Sequence, residues 1–171
     1  MSGVSITIDD SQVEDVLAKL LAAAGDLSPV LKNIGEYEAQ STKNRIVKGI
    51  SPDGSAFAPL NPLYAKVEKK GPGILRGATG RLAEIVYQVG GDTVAIGNDI
   101  VYGAIHQFGG VIKAKNAPAL IFSLGGRKVQ VKSVSIPARP YLGLSTEDQA
   151  EILAIVADHF ILATGGELDG P

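Results

Sequence analysis

The stretch Ile85-Val86-Tyr87-Gln88-Val89-Gly90-Gly91-Asp92-Thr93-Val94-Ala95-Ile96 decides the fold class. Two runs rich in β-branched residues flank a Gly-Gly-Asp turn, the pattern of a β-hairpin. A second unit of this kind follows. Ala119-Leu120-Ile121-Phe122-Ser123 and Lys128-Val129-Gln130-Val131 flank Leu124-Gly125-Gly126-Arg127, a Gly-Gly hairpin. Between the hairpins, Val101 to Phe108 predicts one or two helical turns, ended by Gly109-Gly110.

The pattern changes on both sides of this β-rich centre. Upstream, Val13, Val16, Leu17, Leu20, Leu21 and Ala24 recur at helical spacing, and Gly25 ends the run. Asp9 to Ser11 supplies an N-cap, with Ser11 and Glu14 as a capping box. Val4 to Ile8 alternates as a short strand before it. Ser28-Pro29 starts a second helix, with Ser as cap and Pro in the first turn. It runs to about Lys48 through Val30, Leu31, Ile34, Tyr37, Ile46 and Val47, with Gly35 as a weak point. Downstream, Ser145 with Asp148 caps a last helix, whose stripe is Ile152, Ile155, Val156 and Phe160, widened by Leu153 and Ile161. The segment in between, 49–80, is broken by Pro52, Pro59, Pro62, Gly71, Pro72 and Gly73, and its Lys66–Lys70 stretch reads as solvated.

The predicted fold is therefore α+β: two N-terminal helices, a central antiparallel sheet of about four strands with hairpins, and a C-terminal helix. It forms a single domain over 1–171. Its parts are a strand and helical hairpin (1–48), an irregular Pro/Gly-containing segment (49–80), a sheet region (81–144) carrying a hairpin arm (112–135), a helix (145–164) and a loose tail (165–171).

Composition narrows the function. The chain has 171 residues and is 45% apolar, enough to bury a core without staples. It has no cysteine, which excludes thiolate metal sites and cysteine nucleophiles and fits a reducing compartment. No apolar run is long enough to span a membrane, and the first residues lack the pattern of a signal peptide, so no membrane partner is expected. A net charge of −2 argues against a general nucleic-acid coat.

The charges are segregated along the chain. Residues 1–40 carry two bases against seven acids, and residues 41–81 carry eight bases against two acids. Residues 111–140 hold six bases and no acid, and residues 141–171 hold six acids and no base. Either the folded monomer mixes these segments, or the protomer has one basic and one acidic face and docks head to tail, a contact that closes into rings.

A search for catalytic groups returns little. His159 falls at the apolar stripe of the last helix and reads as a core-edge residue with a satisfied hydrogen bond. His106 has Asp99 and Tyr102 near it in sequence, yet no Gly-x-Ser-x-Gly nucleophile turn exists, and His-Gln-Phe-Gly offers a single metal ligand. His106 and Gln107 are expected to hydrogen-bond backbone at a helix end, with a subunit contact as the other reading. Gly71-Pro72-Gly73 lacks the spacing of a phosphate loop. The basic segment 113–139 holds only Phe122 as an aromatic, which does not suit a single-strand binder. No catalytic residue, cofactor or metal is expected.

From Ser51 onward the motifs fall in a distinctive order: Pro52-Asp53-Gly54, Phe57-Ala58-Pro59-Leu60, Thr79-Gly80-Arg81-Leu82 and Ile96-Gly97-Asn98. Then come Tyr102-Gly103-Ala104-Ile105-His106-Gln107-Phe108-Gly109-Gly110 and Ile136-Pro137-Ala138-Arg139-Pro140-Tyr141-Leu142-Gly143-Leu144-Ser145. This order resembles the phage virion morphogenesis family, the tail-completion proteins of Mu-like and related tailed phages, over roughly residues 30–160. Phe57 stands where many members have tryptophan. The resemblance implies a structural, non-enzymatic subunit of the virion tail or neck, made in the host cytoplasm, that caps the tail tube and joins it to the head–tail connector. With the segregated charge it predicts a cyclic homo-oligomer, a hexamer to match a six-fold tail, through which DNA passes without specific binding. The alternative is a non-virion assembly factor or a nucleic-acid-associated binding module.

The residues expected to carry structure or interfaces are Phe57, Tyr102, His106, Gln107, Arg127, Lys128, Arg139 and Tyr141. Pro137 and Pro140 stiffen a strap that holds Arg139 in place, where it suits a carboxylate of its own or a neighbouring subunit. Phe57, with Pro59 and Leu60, either seats in the sheet or anchors a neighbour. The all-basic arm, with Lys113, Lys115, Arg127, Lys128 and Lys132, is expected to project as a mobile limb toward an acidic surface.

Overall fold

A computed structural model of the chain describes residues 11–166. The expected strand at Val4–Ile8 and most of the expected tail lie outside the described residues, as does the side chain of Ser11 on which the first capping box depends. The elements are helices α1 (Ser11–Gly25), α2 (Ser28–Lys48) and α3 (Pro62–Val67), and a 3-10 turn (Arg81–Ala83). Strands β1 (Val86–Gly90) and β2 (Thr93–Gly97) precede α4 (Gly103–Phe108). Strands β3 (Gly110–Lys113), β4 (Leu120–Leu124), β5 (Arg127–Val131) and β6 (Ser133–Ile136) follow, and α5 (Thr146–Thr164) is last. The fold is α+β, with helices at both ends and antiparallel strands between them. None of the described helices is long and apolar enough to cross a membrane.

Among the described residues the strands number six, where about four were expected in the central sheet. They pair as three two-stranded antiparallel ribbons, β1–β2, β3–β6 and β4–β5. Local geometry divides the arm. Six residues, 114–119, separate β3 from β4, while the single Lys132 separates β5 from β6. Such unequal connections cannot keep one ladder in register, and Pro118 has no N–H to donate. The short helix α3 also forms where the sequence suggested only irregular chain. Pro62 opens it, and the Asn61 side chain caps it by accepting from the N–H groups of Leu63 and Tyr64.

The central element is α2. Ser28 is its first residue, not its cap; Leu27 holds the cap position and its side chain makes no cap hydrogen bond, while the Asp26 carboxylate accepts from the Ser28 N–H at 3.0 Å. At the far end Gly49 adopts φ 73° and returns its N–H to the Arg45 carbonyl. The face of α2 turned inward carries Val30, Ile34, Glu38, Thr42 and Ile46 at intervals of four, with Ala39 and Arg45 beside them. Gly35 sits on this face because β1 crosses there: a Cβ on Gly35 would stand 2.4 Å from the Tyr87 ring.

The core gathers Ala39, Ile46, Phe57, Leu75, Leu82, Ile85, Ile100 and Tyr141. It is built from α2, the irregular segment, the strap, and the residues Leu82, Ile85 and Ile100 that flank the β1–β2 ribbon. The ribbons contribute little, and every residue of β3 is exposed. The irregular segment is bound into the body at Phe57, whose N–H donates to the Gly49 carbonyl at 2.8 Å. At the chain's other end, α5 packs on α1 and α2. As expected, His159 is half-buried and hydrogen-bonded, its Nε2 lying 3.1 Å from the Ala23 carbonyl.

Candidate functional site

The strap after β6 organises the molecule. The Arg139 N–H donates to the His106 carbonyl at 2.7 Å, binding the strap to α4. The turn between α4 and β3 must be glycine for the same reason. Gly109 has φ 68°, and a Cβ there would stand 2.7 Å from the Ala138 nitrogen. Two residues on, Gln107 fastens the strap again. Its Oε1 accepts from the N–H groups of Tyr141 and Leu142, each at 3.0 Å, and its Nε2 donates to the Leu142 carbonyl at 3.0 Å. The side-chain amide thus completes a short piece of backbone that no strand pairs.

Tyr141 is one of the most buried side chains of the protein. Burial raises its phenol above the usual range, against the opposing effect of a hydrogen bond to Asn98. Phe57 is also buried, in the core cluster and not in a sheet.

Arg139 differs from expectation. It meets no carboxylate among the described residues. Its Nε donates to the Ala58 carbonyl at 2.6 Å and its Nη2 to the Pro59 carbonyl at 2.8 Å. The strap passes over the irregular segment, whose unpaired carbonyls need donors, and a planar guanidinium supplies two at once. The charge itself stays unneutralised, and burial pulls the group below the ordinary arginine range.

His106 also departs from expectation. Its carbonyl is bonded, but its Nδ1 is buried and has no hydrogen-bond partner. Tyr102, exposed at the start of α4, meets the imidazole edge-on at 6.1 Å. Burial, helped by the nearby Arg139 charge, holds the imidazole below the usual histidine range. No carboxylate orients the ring, so the arrangement lacks the partner that a general base needs. Among the described residues no cluster of three or more His, Asp or Glu side chains is placed to hold a metal.

A polar cluster that the sequence reading missed lies on the other side of the strap. Arg45 is buried and forms an ion pair with Asp148, donates from Nη2 to Thr42 at 2.9 Å and to the Gly143 carbonyl at 2.8 Å, and approaches Glu38 at 3.8 Å. Asp148 forms a capping box with the expected cap, Ser145, and also accepts from the Ser41 hydroxyl at 2.5 Å. Burial pushes Asp148 up, but the Ser145 N–H, the Ser41 hydroxyl and Arg45 outweigh it and leave the carboxyl below its ordinary value. Glu38 goes the other way. Burial first, then the Asp148 charge, push it up to about 7 despite Arg45, and its Oε1 has no partner. The signal was present in sequence: Glu38, Thr42 and Arg45 follow Ile34 at i+4, i+8 and i+11, on the buried face of α2.

The arm is held at both ends and does not project as a free limb. At its base β3 pairs with β6, Gly110 opposite Ile136. At its tip the Gly125 N–H donates to Glu68 Oε1 at 2.8 Å. Val67 lies so near that a Cβ on Gly125 would stand 3.2 Å from it. Arg127 and Lys128 flank this tip, exposed and without a carboxylate partner among the described residues. The folded-back arm roofs a cavity of about 570 Å³ over the irregular segment. Phe122 and Leu124 of β4, Tyr64 and Ile74, and His106 and Arg139 are among the residues that line it.

Comparison with known proteins agrees with this arrangement of motifs. The chain is 29% identical over 161 residues to the Mu-like prophage FluMu G protein 2 of Haemophilus influenzae, covering 93% of this chain and 97% of that one. No solved structure matches. The phage virion morphogenesis family model matches residues 8–161, which take in α2, the core segment, the arm, the strap and most of α5; the chain belongs to the phage virion morphogenesis family.

Proposed function

We propose that this virion morphogenesis protein is a tail-completion subunit that forms a homo-oligomeric ring at the head-proximal end of the tail. Six copies would match a six-fold tail. One face would meet the tail tube and the other the head–tail connector, with DNA passing through without specific contacts. Family membership supports the structural role. The observation that carries assembly is uncovered apolar surface on the described elements: Val13, Leu17 and Leu21 on α1, Phe108 of α4, and Ile112 and Ile121 on the arm are all exposed. Faces of this kind mark surfaces covered in an assembly.

Mass spectrometry of purified particles, with a reconstruction of the neck free of imposed symmetry, tests the reading. A ring subunit is present in several copies arranged about the tail axis. Absence from the finished particle, or a single copy within it, refutes the ring.

A further inference from the structure

The cavity beneath the arm carries an imbalance that the chain itself does not resolve. Its lining is largely apolar, yet three cations reach it, Lys69, Arg81 and Arg139, and no acid does. Lys69 spends its ammonium on the carbonyls of Lys70, Gly71 and Arg76, and Arg139 spends Nε and Nη2 on those of Ala58 and Pro59. Carbonyls satisfy hydrogen bonds and neutralise no charge. Beside these groups the buried His106 Nδ1 has no partner at all. Uncompensated positive charge in an apolar recess is costly, and an entering carboxylate would remove that cost.

We propose that this cavity receives an extended segment of another virion protein, in which a carboxylate stands between bulky apolar side chains. The apolar side chains would lie against Phe122, Leu124 and Ile74. The carboxylate would meet Arg81, Arg139 and His106. A volume of about 570 Å³ accepts a few side chains of extended backbone, but not a helix roughly 10–12 Å across. The acids of this chain's long helices, such as Glu14, Glu36, Glu147, Glu151 and Asp158, are therefore unsuited to it, and no acid of the chain outside those helices stands between two bulky apolar residues, which argues for a different protein as the source. The inference rests on the virion reading only for the identity of that partner; the chemistry of the cavity does not depend on ring formation.

The test uses the full chain, isotope-labelled, titrated with acetyl-Leu-Glu-Phe-amide, its Gln counterpart and octanoate while NMR resonances are followed. The Glu peptide should saturably shift His106, Phe122 and Arg139, and the Gln peptide should bind at least tenfold more weakly. Arg81 is exposed, so Arg81→Gln leaves the fold intact; it should weaken the Glu peptide several-fold and leave the Gln peptide unchanged. Equal binding of the two peptides, or shifts scattered away from the cavity, overturns the proposal. Octanoate binding as tightly as the Glu peptide would make the cavity a site for free amphiphilic acids and overturn it too. In assembled particles, p-benzoylphenylalanine in place of Phe122 should crosslink to an acidic, apolar segment of a different protein. Crosslinks only to further copies of this chain overturn the assignment of the source. Failure of the ring shows in particle stoichiometry and leaves the peptide titrations unaffected.

Discussion

The body around α2 and the arm at 110–136 are built on opposite principles. In the body a buried apolar cluster is tied together by side chains serving distant backbone: Arg45 reaches Gly143, Gln107 reaches Leu142, and Arg139 reaches Ala58 and Pro59. The arm has two short ladders and few buried side chains; Ile112, Ile121 and Phe122 are exposed. A two-stranded ribbon alone in water is marginal. The arm keeps its place through its base on β6 and its tip on Glu68. The body around α2 is closed by its own side chains, whereas the arm leaves apolar and basic side chains exposed. Stability is concentrated in the first region, and the proposed assembly would draw on the second together with the exposed face of α1.

The sharpest way to break this division is to open the body. Asp148→Ala leaves the buried Arg45 with only Glu38 at 3.8 Å and removes the carboxylate half of the α5 capping box. The expected loss is about 3–5 kcal/mol, or roughly 10 °C in melting temperature, measured by calorimetry or circular dichroism. A loss below about 1 kcal/mol would mean that the strap and α5 hold without this pair.

Glu38 gives a smaller effect with a defined sign. Its folded value near 7 lies above the ordinary 4.5. Its contribution to stability is therefore complete below about pH 4.5 and is lost as pH rises through 7. Asp148, held below its ordinary value, acts oppositely and matters only in more acidic solution. Glu38→Gln should flatten the stability profile between pH 5 and 8, with a gain relative to the parent of about 1–2 kcal/mol at pH 8 and little difference at pH 5. An unchanged difference across this range would place the titration elsewhere.

The arm should give the smallest effect on stability. Arg127→Glu with Lys128→Glu changes two exposed residues at its turn and should cost under about 0.5 kcal/mol. Head–tail joining, read as the titre of infectious particles, should nevertheless fail. A wild-type titre with the reversed turn would leave the arm as no more than a cover over the cavity.

Much of this could be read from residues alone, because the signals are local. The Gly-Gly turns of both hairpins, the Ser145 and Asp148 capping box, the proline-stiffened strap and the helical periodicity of α1 and α5 depend on neighbours a few positions apart. So does the order of motifs that carries the family resemblance. The tertiary structure decided what depends on distant partners. Arg45 and Asp148 are separated by 103 positions, and nothing local marks them as a pair. Phe57 could have faced inward or outward until Ala39, Ile46 and Tyr141 were seen around it. Arg139 suits a carboxylate by its chemistry, but the carbonyls of Ala58 and Pro59 reach it first. The basic arm folds back because Glu68 and Val67 meet its tip. Short-range sequence sets turns, caps and faces through backbone geometry and side-chain periodicity; which faces meet is set by the packing of the whole chain.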